Sequence, residues 1–201
     1  MAFSEQEVFV LSERALSNVI DQIQDHQWNQ TTPDWFQTGR QGKLTLRDIV
    51  NDHAYDSAWV PDVLAGKTLA EVGSTYDGDL LGNDPKGSYR RYSERAIAAA
   101  LELKNLEKVV HLSYGDFPAC EYFKHITSFR GFRAYDIAKW IDTDTTLPPE
   151  LVQGLWGELL PEIDVWRQIG VFGPPVPVPD DAPLQDRLLA MVGRDPRPLA
   201  G

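Results

Sequence analysis

Five stretches of this chain place apolar residues three and four apart, and each is bounded by residues that start or stop a helix. Ser4 with Glu7 forms a capping-box pattern ahead of Val8, Leu11, Ala15, Val19 and Ile23, which predicts a first helix from about residue 4 to 27. Thr45 with Asp48 opens a second, carrying Leu46, Ile49, Val50, His53, Ser57 and Val60 on one stripe, and Pro61 is expected to kink or end it. A glycine-rich segment over 66–87 reads as a long loop with one helical turn near Leu69. The alanine-rich run from Ser88 predicts a third long helix.

The only strand signal is Val109 to Leu112, short enough for an edge strand or a connector. Asp116 as cap and Pro118 in the first turn predict a helix that runs to about residue 141 through Phe123, Phe129, Phe132, Ile137 and Trp140. Pro148 and Pro149 start another, bent at Pro161 and closed by Gly170. The expected class is therefore all-α, a helical bundle over 1–170. Seven of the fourteen prolines fall between 174 and 198. They predict an extended strap over 171–201, packed on the bundle, with a short helix capped by Asp181 and ended at Gly193.

Charge narrows the function. Nineteen basic residues against thirty acidic ones give a net charge of −11, and the basic pairs Arg90/Arg91 and Arg130/Arg133 are diluted by their neighbours. Such a chain repels phosphate backbones and anionic lipid, so neither nucleic acid nor membrane is an expected partner. The single cysteine, Cys120, excludes an internal disulfide or a thiolate metal cluster, and one turn into a helix it reads as a small buried hydrophobe. The opening residues Met-Ala-Phe-Ser-Glu-Gln-Glu carry neither a basic region nor an apolar run, which suits a cytoplasmic protein. Motifs for zinc proteases, phosphate loops, serine nucleophile elbows and dinucleotide binding are absent. Of the four histidines, only His53 lies on an apolar stripe with polar company, in Asn51, Asp52 and Asp56.

The segments LTLRDIVNDHAYDSAWVPDVLAG, FRAYDIAKWIDTDTTLPPELV and VFGPPVPVPDDAPLQDRLLAMVGRDP, in that order, resemble the actinobacterial relatives of mycothiol-dependent maleylpyruvate isomerase, within the DinB-like superfamily. The resemblance spans nearly the whole chain, and its GRDP tail is the most specific part. It implies a DinB-like four-helix up-down bundle with a long crossover, often a homodimer. In metal-bearing relatives a divalent ion sits between helices, and mycothiol is the co-substrate. Those relatives use one histidine on the second helix and, on a later helix, a Glu or His four residues before a second His that stands three before an Asp. Here His53 matches the first, while Asp136 places Phe129 and Arg133 at the other two positions. A guanidinium about 6 Å from a divalent ion is repelled by roughly 5 kcal/mol at an effective dielectric of 20. No metal or other cofactor is therefore predicted. A different set, His53 with Glu121 and His125, has ligand spacing but lies about 12 Å along the helix from the family position.

The leading expectation is a pocket for a small anionic or thiol-bearing molecule. Phe129 and Phe132 would form its floor, Arg133 would hold a carboxylate near Asp136, and His53 would carry a proton near neutral pH. A purely structural bridge between Arg133 and Asp136 explains the same residues. An active metal- or thiol-dependent isomerase or S-transferase, and a non-catalytic dimerisation module, are the rival functions.

Overall fold

A computed structural model describes residues 3–38, 40 and 42–197; Gly39, Gln41, the opening Met1-Ala2 and the end of the tail at 198–201, including Pro198, lie outside the described residues. Eight α-helices, one short 3-10 turn and one two-stranded hairpin make up the regular structure of the described residues. Helix α1 (Glu5–Ile20) begins at the expected box, with the Ser4 N–H donating to Glu7 Oε2 at 2.8 Å. It ends at Ile20, seven residues short of the expectation. Ile23 stays fully buried without belonging to the helix, because Gln24 caps a separate 3-10 turn at Asp25–Gln27 through the Gln27 side chain.

Helix α2 (Leu46–Ala65) begins at Thr45 and Asp48 and passes straight through Pro61. The ring removes one backbone donor, and burial of Val63 and Leu64 beyond it outweighs that loss. The helix ends where Gly66 turns left-handed at φ 90°, a conformation that costs other residues about 1 kcal/mol or more. Lys108 Nζ donates to the freed Leu64 carbonyl at 2.7 Å. The glycine-rich loop holds the anticipated turn as α3 (Leu69–Val72), and α4 (Pro85–Glu102) starts three residues earlier than Ser88, capped by Asp84 on the Gly87 N–H.

Val109–Leu112 is β1, and it pairs antiparallel with β2 (Gly115–Pro118), with His111 opposite Asp116. Asp116 is thus a strand residue bonded to His111 Nδ1 at 2.8 Å rather than a helix cap, and α5 (Ala119–Trp140) starts directly after Pro118. Pro161 breaks the next helix instead of bending it, giving α6 (Pro149–Leu159) and α7 (Ile163–Gln168). The long helices pack α1 on α5 and α4, and α2 on α4.

The proline segment after Gly173 has no regular structure and leads to α8 (Leu184–Met191), which follows Pro183 and not an Asp181 cap. Leu188, Leu189 and Val192 are fully buried in the same core as α1, α2 and α5. The extension therefore completes the core rather than lying over a finished one. Gly193, at φ 80°, turns the chain where a Cβ would come within 3.1 Å of the Gly173 Cα. No helix among the described residues is long and apolar enough to cross a membrane.

Candidate functional site

On α1, Phe9, Glu13, Leu16 and Ile20 form one stripe, and on α5 so do Phe123, Thr127, Arg130, Ala134 and Ile137; every one of them is buried. The two stripes face each other, so Glu13 and Arg130 meet inside the protein, each with no more than 1% of its side chain exposed. They form an ion pair through Arg130 Nε and Glu13 Oε2. Ser57 of α2 donates to Glu13 Oε1 at 2.7 Å, and the Tyr89 hydroxyl of α4 reaches the same oxygen at 3.4 Å. Burial, and then the Glu13 carboxylate, push the Tyr89 phenol well above its ordinary pKa, so it remains a donor. Four helices thus converge on one carboxylate, and Arg130 adds a bond from Nη1 to the Ile126 carbonyl at 3.0 Å.

His53 lies on α2 near this cluster and is buried. Burial first, then the Arg133 and Arg130 cations, hold its pKa well below the usual imidazole value. The expected proton carrier near neutral pH is corrected by this placement: His53 is a neutral imidazole, and among the described residues its buried Nδ1 has no hydrogen-bond partner.

Arg133, one turn along α5 from Arg130, donates to the Gln37 carbonyl at 3.1 Å and approaches Asp136 at 3.5 Å. The closer partner of Asp136 is Arg194 in the tail, whose Nε and Nη2 contact the two carboxylate oxygens at 2.9 and 2.8 Å. Two guanidinium groups therefore share one carboxylate. They also stack on rings, Arg133 over Phe36 at 4.4 Å and Arg194 over Phe132 at 4.7 Å. Burial lowers the Arg133 pKa; Asp136 opposes that shift and the Arg194 cation adds to it. Among the described residues the Arg133 Nε is buried without a partner.

Beside this trio opens a cavity of about 290 Å³, lined in part by Gln37, Thr38, Phe129, Phe132, Arg133 and Arg194. The structure thus brings Phe129, Phe132 and Arg133 to one cavity. Asp136 stands behind it as the counter-ion, and His53 is not in its wall. Phe132 is buried as floor, whereas Phe129 is 51% exposed and also borders a second cavity of about 340 Å³ on the side of the hairpin. That second cavity contains Asp56, His125 and Arg130 in its wall.

The alternative trio is dispersed among other partners. Glu121 pairs with Lys124 at 2.9 Å, and His125 contacts the Tyr114 hydroxyl at 3.2 Å and the Phe117 ring at 5.0 Å between centroids. Among the described residues no three His, Cys, Asp or Glu side chains form a group that would hold a metal ion. At the position implied by the family resemblance the donor set is one imidazole, a phenyl ring and a guanidinium, which does not fit a divalent cation. Cys120, expected to be buried, is half-buried in the first turn of α5. Burial and the nearby Glu107 raise its pKa, which keeps it a thiol.

Sequence reasoning missed Glu13 and Arg194. An acid in the middle of the Phe9–Leu16–Ile20 stripe is the signal that marks Glu13, as a base in the Phe123–Ile137 stripe marks Arg130. No local signal assigns Arg194 to Asp136. No protein-family model, curated protein or solved structure matches the chain.

Proposed function

We propose that this protein is a DinB-like bundle, related to the mycothiol-dependent maleylpyruvate isomerase group, that binds a small anionic ligand, a carboxylate or a thiolate, in the cavity beside Arg133 and Arg194. The observation that carries this reading is the imbalance of charge at its wall, two guanidinium groups against the one carboxylate of Asp136. A ligand anion about 4 Å from a guanidinium gains on the order of 4 kcal/mol of Coulomb energy at an effective dielectric of 20, before desolvation is subtracted. The half-exposed Phe129 with the buried Phe132 gives the ligand an apolar body to lie against.

The rings under both guanidiniums and the Gln37 carbonyl fix their planes, so the donors are in place before a ligand arrives. The donor set around His53 does not suit a divalent ion, and the reading routes nothing through one. Benzoate, titrated calorimetrically, tests it. Binding should weaken about tenfold in Arg133→Met and in Arg194→Met, each checked for folding by its urea midpoint, in line with the loss of one charge-assisted contact. Benzoate affinity that both variants leave unchanged overturns the proposal.

A further inference from the structure

The second cavity, about 340 Å³ between α2, α5 and the hairpin, has a different chemistry from the first. Its aromatic wall includes Tyr55 and Trp59, whose rings stand 6.0 Å apart, and Phe129 from the opposite side. Two of its lining residues hold buried N–H donors without an acceptor among the described residues, Nη2 of Arg130 and Nε1 of Trp59. Arg130 is 1% exposed, and a buried donor left unpaired is costly, so both groups gain from an acceptor that reaches them from the cavity.

Charge decides which acceptor. Arg130 is already neutralised by Glu13, in contrast to the two guanidiniums that share Asp136. Asp56 stands in the wall and adds a carboxyl group of its own; it keeps solvent contact on the open side, yet enough protein surrounds it that desolvation raises its pKa. His125, also in the wall, is shifted down by burial and contributes no cation at neutral pH. No uncompensated positive charge therefore faces the space.

We propose that this cavity is a second ligand site, separate from the anion pocket, which takes a neutral aromatic molecule bearing a carbonyl acceptor. The ring lies against Trp59 and Phe129, and the carbonyl oxygen accepts from the Trp59 indole and the Arg130 guanidinium. An amide, ester or ketone satisfies these donors, while a carboxylate of the same shape meets Asp56 and an already neutralised arginine.

The experiment uses 2-naphthamide and its charged isostere 2-naphthoate on the full chain, followed by calorimetry and by the indole N–H resonances in NMR spectra. The amide should bind saturably and shift the Trp59 indole signal, and Trp59→Phe, which keeps a ring but loses the donor, should weaken it about tenfold. Tyr55→Ala, at a side chain 37% exposed, should weaken it as well while leaving the fold intact. Residual 2-naphthoate binding should respond to Arg133→Met and not to Trp59→Phe. No saturable binding of the amide at millimolar concentration, equal affinity in Trp59→Phe, or loss of amide binding in Arg133→Met alone would each overturn the assignment, whatever benzoate does at the other pocket.

Discussion

Removing the Arg130 side chain charge tests the centre of the fold directly. In Arg130→Met the Glu13 carboxylate stays where it is, fully buried, with only the Ser57 hydroxyl at 2.7 Å and the Tyr89 hydroxyl at 3.4 Å to solvate it. Breaking a buried pair from one side costs about 3–5 kcal/mol, because the surviving charge is left uncompensated. For a chain of this size that corresponds to a fall of about 6–20 °C in Tm. Methionine fills most of the vacated volume and keeps contact with the Phe9 ring that the guanidinium covers at 5.4 Å, so the cavity contribution is small. The double variant Glu13→Gln/Arg130→Met separates charge from packing. Its glutamine still accepts from Ser57 and Tyr89, so it should recover all but about 1–2 kcal/mol of the loss. Urea unfolding at pH 7 followed by circular dichroism gives both values. A single variant that loses less than about 1 kcal/mol, or a double variant no more stable than the single, would refute the argument that an unpaired buried carboxylate is the cost.

Two further outcomes follow from the packing and the charges. Gly154 lets α6 approach α1, and a Cβ there would lie 2.7 Å from Val8 Cγ2 and 3.0 Å from Cγ1, on a β-branched side chain that has little freedom to move. Gly154→Ala should destabilise by about 1–3 kcal/mol in urea melts, and a neutral or stabilising result would show that α6 is free to shift. Burial, and then the Glu5 carboxylate, push the Glu158 carboxyl up to about 8. A carboxyl whose folded pKa lies above its unfolded value of about 4.3 stabilises below that value, and the contribution is lost as pH rises through the folded pKa. Stability should therefore fall by on the order of a few kcal/mol between pH 5 and 9, and Glu158→Gln should flatten the profile; a wild-type profile without that slope would place Glu158 in water.

What the sequence discloses about this protein depends on how local the determining interaction is. The boxes at Ser4/Glu7 and Thr45/Asp48 are closed by residues three apart, and both helices start where the pattern puts them. Pro61 violates the same local reasoning because its effect is decided by what the following turn buries, and Val63 and Leu64 are core residues. The second strand escaped notice since β2 has no apolar alternation; Gly115–Pro118 is held by its register with β1 across the Ser113–Tyr114 turn and by the His111–Asp116 contact.

The candidate site divides along the same line. Phe129, Phe132, Arg133 and Asp136 share a helix, and the register that the family resemblance implies already singles out three of them, whereas the second cation on Asp136 arrives from Arg194, 58 residues further on. That pairing also gives the GRDP segment a physical role: Gly193 supplies the left-handed turn, Arg194 clamps Asp136, and the Asp195 carbonyl accepts from Lys139 Nζ at 2.8 Å. The tail therefore contributes to the pocket as well as to the core. A chain cut before Arg194 would leave Asp136 to Arg133 alone, with one cation for one carboxylate, and the excess positive charge on which the proposed anion binding rests would be gone.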